Sequence, residues 1–145
     1  MTLKQAEKDV VKMLIQQNCL FQDFTVAELT QSLDASELIA EKIYSNRPIY
    51  TAYRPGVSIP FLYLILGGGP VVMRSSPLDR IIAIRYAGGC FGAGSLPIGV
   101  GPISRGFPTL VEAYKTTDVL KVPVQAVQNL YEAHEKFRDR YNRLV

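Results

Sequence analysis

The stretch that decides the fold reads Gly88-Gly89-Cys90-Phe91-Gly92-Ala93-Gly94-Ser95-Leu96, and a return stretch from Ser104 to Ala113 completes it. Seven of the eleven glycines fall between Gly88 and Gly106. Glycine permits positive φ and close backbone approach. Successive outward N–H groups form a concavity that attracts phosphate or another anion. The cluster predicts an anion or nucleotide cradle, and the alternative is a flexible loop that joins two strands.

Length and composition predict one domain covering residues 1–145. Of the 145 residues, 48% are hydrophobic and 20% are charged, which is enough for a real core. The formal charge of +3 is small, and basic residues alternate with acidic ones, so the composition does not favour nucleic acid as a partner. The densest basic group is interpreted as a solvated helix face and comprises Lys136, Arg138, Arg140 and Arg143.

Cysteine usage and hydropathy predict a cytoplasmic protein. The first residues are charged and helical in pattern, unlike a secretory leader. Cys19 and Cys90 are therefore interpreted as reduced, buried thiols, distant from each other in the sequence. The most apolar run, Phe61 to Leu66, is far shorter than the roughly 20 residues of a membrane helix. It predicts a core strand, and no contact with a membrane is expected.

Two helices are predicted before the strands begin. Apolar residues recur at helical spacing from Leu3 to Leu14, and Asn18 to Phe21 interrupts this period. Thr25 and Glu28 have the spacing of a capping box, in which each side chain caps the other residue's backbone N–H. A second, short helix is therefore expected from Val26 to about Ser32.

Short apolar and β-branched runs separated by turn residues predict strands over most of the remaining chain. The predicted strands are Leu38 to Tyr44, Ile49 to Tyr53, Phe61 to Leu66, Val71 to Arg74, Arg80 to Tyr86, Thr109 to Ala113 and Val119 to Val122. Pro123 is expected to open a final helix.

This order predicts a mainly β fold with flanking helices. The expected architecture is a jelly-roll-like β-roll, or cupin-like double-stranded β-helix. N-terminal helices occupy residues 1–33, the β-roll residues 36–122, and one C-terminal helix residues 123–145. A doubly wound sheet is not favoured, because it would need helices between the strands.

The order and spacing of several motifs resemble the cyclic-nucleotide-binding domain family, the β-roll with flanking helices of catabolite-activator-type regulators, kinase regulatory subunits and gated channels. The segment from Asn18 to Thr25 resembles the one that leads into the family's β-roll. Arg54-Pro55-Gly56 followed by Leu62-Tyr63-Leu64-Ile65-Leu66 resembles its glycine turn and next strand. Residues 88–96 resemble its phosphate-binding cassette, and Val111 to Ala113 with Asp118 to Pro123 resemble its closing strands.

The resemblance implies a ligand site, at which two expected side chains are replaced. The cassette's Glu position holds Ala93, and the position of its phosphate-binding Arg holds Phe107, although Arg105 lies nearby in a longer loop. A carboxylate suits the ribose 2′-hydroxyl and an Arg suits the phosphate, so cyclic AMP or cyclic GMP is expected to bind weakly or not at all. Another small anionic ligand is the remaining possibility. The residues predicted to line the site are Phe91, Gly92, Ala93, Gly94, Ser95, Leu96, Ser104, Arg105, Phe107 and Thr109.

The terminal segment carries a second pattern, a short heptad seam. Its members are Val127, Leu130, His134, Phe137, Tyr141 and Leu144. One interpretation is a homodimer interface, and the other is a helix packed on its own β-roll. A seam position is more consistent with packing of His134 than with a catalytic or metal role.

The residue content does not favour an enzyme. One histidine, no paired acidic motif and two cysteines supply neither a metal-ligand set nor a nucleophile with its base. No cofactor is expected, and binding to DNA through a helix-turn-helix after the roll is not expected. Two hypotheses follow: a regulatory module that senses a ligand, and a non-catalytic module that binds a partner protein and has a vestigial pocket.

Overall fold

The structure is a computed structural model that describes residues 3–44, 61–75, 81–91 and 109–144. Ile49 to Tyr53, one of the predicted strands, lies outside the described residues. The other predicted strands are present, each with a shift of no more than a few residues at its ends.

Both predicted N-terminal helices form. Helix α1 spans Leu3–Gln17 and helix α2 spans Val26–Ser32. The capping box at the start of α2 is confirmed, because the Glu28 backbone N–H donates to Thr25 Oγ1 and the Thr25 N–H donates to Glu28 Oε1, each at 3.1 Å. We call residues 18–24, between the two helices, the connecting segment.

The described strands form two antiparallel sheets. Their bounds are β1 Ile39–Ile43, β2 Phe61–Gly67, β3 Val71–Ser75, β4 Ile81–Arg85, β5 Cys90–Phe91, β6 Thr109–Ala113 and β7 Thr117–Pro123. The first sheet has the order β1-β7-β2-β5 and the second has the order β4-β3-β6. Every strand pair is antiparallel, which confirms a β-roll with flanking helices and excludes a doubly wound parallel sheet in the described part of the chain.

The four-stranded sheet is covered on both faces. Leu62 and Leu64 of β2 pack in a core with the helices, whereas Ile65 packs in a second core between the two sheets. We call these two faces the helix face and the roll face. Because side chains alternate along a strand, a sheet buried on both faces explains the nearly continuous apolar sequence from Phe61 to Leu66.

The predicted single C-terminal helix is wrong, because the structure contains two helices there. Helix α3 spans Val124–Ala133 and helix α4 spans Glu135–Leu144. His134 between them has extended backbone angles, φ −128° and ψ 113°. The Arg138 side chain donates to the carbonyls of Tyr131 at 3.0 Å and Glu132 at 3.1 Å, which satisfies acceptors left unpaired at the end of α3.

Candidate functional site

The predicted ligand site begins at the edge of one sheet and ends at the edge of the other. Phe91 ends β5, an outer strand of the four-stranded sheet among the described strands, and Thr109 begins β6, an outer strand of the three-stranded sheet. The other predicted site residues lie outside the described residues: Gly92, Ala93, Gly94, Ser95, Leu96, Ser104, Arg105 and Phe107.

Phe91 belongs to the core on the roll face. Its side chain is buried, and its ring stacks on that of Tyr63 with centroids 4.7 Å apart and planes 11° apart. Burial, and then the negative charge of Glu41, raises the pKa of the Tyr63 hydroxyl. The first side chain of the predicted site therefore lies inside the roll, in apolar surroundings.

The turn before β5 uses its glycines to contact protein, not an anion. Gly88 has φ +92°, and a Cβ there would lie 2.8 Å from the Gln17 carbonyl oxygen. Its N–H donates to Ile65 O at 2.9 Å, and the Gly89 N–H donates to Tyr86 O at 2.9 Å. The expectation of free, outward N–H groups is thus wrong for these two residues, because β2 and the turn itself accept both hydrogen bonds.

The connecting segment binds the same turn from the other side. The Cys19 N–H donates to Gly88 O at 3.0 Å, and Asn18 Nδ2 donates to Gly89 O at 3.4 Å. Asn18 Oδ1 accepts from the Leu20 N–H at 3.0 Å, although the residue is only 2% exposed. A buried polar side chain with both ends hydrogen-bonded fixes the position of the segment. Nothing in the sequence predicts this role of Asn18 beyond the break in helical period at that residue.

The two cysteines meet at this junction. The Cys90 thiol donates a hydrogen bond to the sulfur of Cys19, and this bond lowers the pKa of Cys19 to about 6 and raises that of Cys90. Burial of Cys90 raises its pKa further. The prediction that both thiols are buried is wrong for Cys19, which is partly exposed. The two cysteines are far apart in the sequence, but folding brings them together because β5 lies against the connecting segment.

Helix α4 holds the connecting segment through two cations. Arg140 donates to both Asp23 Oδ2, at 2.6 and 2.9 Å, and Cys19 O, at 2.7 Å. Lys136 donates to Glu28 Oε2 at 2.8 Å and to Asp23 O at 3.0 Å. The hydrogen bond from Lys136, and then the Thr25 backbone N–H, lowers the pKa of Glu28 to about 2. The basic residues predicted to form a solvated face thus include two that join α4 to the segment.

The predicted heptad seam packs largely within its own chain. Val127, Leu130, Phe137 and Tyr141 are fully buried in the core on the helix face. His134 Nε2 and Ser32 Oγ are hydrogen-bonded at 2.6 Å, and the His134 ring meets Phe24 edge-on at 4.9 Å. The side chain of Leu144 lies outside the described residues. The other seam residues pack within their own domain, as the second interpretation of the seam predicts.

Neither a metal cluster nor a membrane span is found within the described ranges. No group of three His, Cys, Asp or Glu side chains is placed to hold a metal ion among the residues that the structure describes. None of the helices in that part of the chain is long and apolar enough to cross a membrane.

The comparisons with known proteins identify the fold. No family model and no curated protein matches the sequence. A Geobacter metallireducens protein named as a cyclic nucleotide-binding protein is 16% identical with a TM-score of 0.62, and the match covers 99% of this chain and 92% of that one. The sensor domain of the transcriptional regulator DNR from Pseudomonas aeruginosa is 12% identical with a TM-score of 0.68, and the match covers 92% and 88%.

A third similar structure belongs to a protein whose name says that it does not depend on cyclic AMP. It is the regulatory subunit of a cAMP-independent protein kinase A from Trypanosoma brucei, 14% identical with a TM-score of 0.69, and the match covers 96% of this chain and 47% of that one. The chain thus has the fold of cyclic-nucleotide-binding domains.

Proposed function

We propose that this chain is a non-catalytic regulatory module whose pocket accepts a small anion other than cyclic AMP or cyclic GMP. The observation that carries the proposal is the direct connection between β5 and the helices. Phe91 faces the roll interior, the preceding turn is bonded to Cys19, and the Cys19 carbonyl is bonded to Arg140 of α4. A ligand that moves β5 would therefore move the connecting segment and α4 with it.

The replaced side chains argue against the two common cyclic nucleotides. Ala93 offers no acceptor for a ribose hydroxyl, and Phe107 offers no charge for a phosphate. A hydrogen bond to a charged group contributes about 1.5–3 kcal/mol, and an unpaired buried hydroxyl costs about 1–3 kcal/mol. Together these losses weaken binding by roughly a hundredfold to ten-thousandfold. Arg105 leaves one cation in the loop for a different anion.

Calorimetric titration tests the loss of nucleotide binding. We expect no low-micromolar dissociation constant for cyclic AMP or cyclic GMP, and a constant in that range would overturn the proposal. A thermal-shift screen of nucleotides, sugar phosphates and inorganic anions tests the sensor role, since a ligand that binds only the folded state raises the melting temperature. Stabilisation that saturates is expected with one anion. Its absence for every anion at millimolar concentration would contradict the sensor role.

A double substitution tests the alignment of the pocket. Ala93→Glu with Phe107→Arg should gain affinity for cyclic AMP or cyclic GMP, because it restores an acceptor and a cation together. The matched control is Ala93→Gln with Phe107→Met, which has similar side-chain sizes without the charges. Equal affinity in the two double variants would show that the longer loop places another residue at the phosphate.

A second candidate, a module that binds a partner protein or a second copy of the chain, is favoured by exposed aromatic residues on the second sheet. Tyr86 and Tyr114 are 63% and 68% exposed. They directly follow Arg85 and Ala113, which both pair with Val71 of the central strand. Exposed apolar patches often mark protein interfaces. Sedimentation velocity of the wild type and of Tyr86→Ser with Tyr114→Ser tests self-association, and identical monomers would exclude a dimer through this face.

A further inference from the structure

We propose that Cys19 and Cys90 form a dithiol that a hydroperoxide converts into an intrachain disulfide, which fastens β5 to the connecting segment. The two residues lie in the same core, where Cys19 packs at the margin and Cys90 is 4% exposed. Both are free cysteines. The backbone N–H of Cys19 is hydrogen-bonded to the turn that leads into Cys90, and the interaction between the two thiols shifts the pKa of each.

The backbone around the pair is held from both sides. The Cys19 N–H is bonded to Gly88 O, two residues before Cys90, and the Cys19 carbonyl accepts from Arg140. Asn18 is bonded to Gly89 O. A disulfide requires the Cα atoms to lie within about 4–7 Å. The hydrogen bonds to Gly88 and Gly89 hold the backbone of Cys19 beside the turn that leads into Cys90, which favours such an approach.

The surroundings assign different roles to the two thiols. Cys19 is partly exposed, and the hydrogen bond from Cys90, its own backbone and the charges of Arg140 and Arg85 lower its pKa. Cys90 is buried and its pKa is raised. After burial, the negative charge of a Cys90 thiolate is a further cause that raises the pKa of the nearby Tyr141 hydroxyl. The thiolate is the nucleophile in thiol chemistry. Cys19 is therefore the attacking thiol, and Cys90 is the thiol that completes the disulfide.

The reaction balances in two steps. The Cys19 thiolate attacks one peroxide oxygen, so an S–O bond forms, the O–O bond breaks, and the leaving alkoxide or hydroxide takes a proton. The sulfur of Cys90 then attacks the sulfur of Cys19, so the S–S bond forms and the S–O bond breaks. The departing hydroxide leaves as water with the proton from Cys90. Two thiols lose two electrons in total, and the hydroperoxide gains them.

The decisive experiment treats the full chain with hydrogen peroxide and dimedone, a reagent that captures sulfenic acid. Native protein should lose two hydrogens in mass, retain no thiol that can be alkylated, and remain a single chain on a non-reducing gel. In urea-unfolded protein, dimedone should instead capture a sulfenic acid at either cysteine, with a disulfide-to-dimedone ratio lower by at least about tenfold, because folding holds the thiols together. Native protein that gives the dimedone adduct while Cys90 can still be alkylated would overturn the proposal.

Two variants separate the roles. Cys19→Ser should leave Cys90 unreactive towards peroxide, and Cys90→Ala should stop oxidation at a Cys19 sulfenic acid that dimedone captures. If Cys90→Ala does not fold, Cys90→Ser takes its place, because its side chain is closer in size to cysteine and its dimedone adduct must likewise map to Cys19. An adduct that maps to Cys90 would contradict the assigned order.

The pH profile of alkylation gives an independent readout. With iodoacetamide, the midpoint for Cys19 should lie near pH 6 in the wild type and rise towards the ordinary value near 9 in Cys90→Ala. Rates at neutral pH are less informative, because a thiolate fraction higher by about ninetyfold is offset by a nucleophilicity lower by about twentyfold. A wild-type midpoint near 9 would show that the pair does not activate Cys19 and would contradict the assignment of Cys19 as the attacking thiol.

Discussion

The helix face and the roll face of the four-stranded sheet are stabilised by different interactions, although they are the two sides of the same sheet. On β5, Cys90 lies on the helix face and its neighbour Phe91 lies on the roll face. The helix face combines a deep apolar core with ion pairs and caps from α2 and α4. The described core of the roll face is apolar, with one stacked aromatic pair.

This difference predicts where substitutions affect stability and where they affect the predicted ligand site. The helix face is closed by side chains of the same chain, including four residues of the predicted dimer seam: Val127, Leu130, Phe137 and Tyr141. The roll face carries the start of the predicted ligand site. The two residues of β5 contribute one side chain to each face. A substitution in the helix-face core should therefore lower mainly the stability, whereas a substitution in β5 should also affect the predicted pocket. Four measurements test this division.

The largest effect is expected at Phe137, in the core of the helix face. Its side chain is fully buried, and its ring centroid lies 5.7 Å from that of Phe21 and 5.9 Å from that of Tyr141. Phe137→Ala should lower the free energy of unfolding by about 3–5 kcal/mol, because it leaves a cavity. Urea denaturation measures the change, with Phe137→Leu as the milder control. A loss below about 1 kcal/mol would show that this face does not carry the stability.

The next largest effect is expected at Gly88, where the two faces are joined. Gly88→Ala should destabilise by about 2–4 kcal/mol, because it adds the strain of a positive φ and a clash with Gln17 O. The matched control is Gly69→Ala, where φ is +80° but the added Cβ would lie 3.8 Å from the Val71 backbone nitrogen, an ordinary contact, so about 1–2 kcal/mol is expected. Equal losses would mean that the contact with α1 does not matter. Hydrogen exchange at the Cys19 amide should also accelerate in Gly88→Ala alone.

A smaller effect is expected from the aromatic pair on the roll face. A double-mutant cycle of Tyr63→Leu and Phe91→Leu should give a coupling of about 0.5–1.5 kcal/mol, the usual value for stacked rings. The comparison pair on the helix face is Phe21 and Phe24, which meet edge-on at 5.9 Å. Zero coupling between Tyr63 and Phe91 would indicate that the roll interior repacks freely around β5.

The smallest effect is a pH dependence on the surface of the helix face. Glu28 has a folded-state pKa near 2, below its ordinary value of 4.5, so its contribution is complete above pH 4.5 and is lost as the pH falls towards 2. The difference in the free energy of unfolding between wild type and Glu28→Gln should therefore decrease as the pH falls through that range. Lys136→Gln should weaken this pH dependence, because it removes the largest cause of the shift. A difference that is constant with pH would contradict the assignment.

Much of the fold could be predicted because its signals are local. The capping box at Thr25 and Glu28 predicted the start of α2 at Val26, and turn residues between apolar runs predicted every described strand except the two-residue β5. The break at His134 could not be predicted, since the apolar spacing continues through it. Hydrogen bonds from Arg138 to the end of α3 stabilise the break, and no periodic pattern reveals them.

The candidate site was predicted less completely. The role of Phe91 in a ligand site stays a prediction, and the structure places its side chain inside the roll. Its neighbour Cys90 is interpreted from the sequence as a buried thiol that is distant from Cys19. The contact with Cys19 depends on β5 pairing with β2 and on α1 ending beside the turn at Gly88. Asn18 was missed for the same reason, because its partner is the distant Gly89.

The sequence by itself determined the fold class and the second helix with its cap, and it predicted a ligand site in which Ala93 and Phe107 replace the expected side chains. Tertiary structure alone decided that the C-terminal seam packs inward, that the glycine turn binds α1 and the connecting segment, and that the two thiols meet. Helical period, alternation and capping act over a few residues and can be read along the chain. Contacts between distant residues depend on how the sheet and helices pack together.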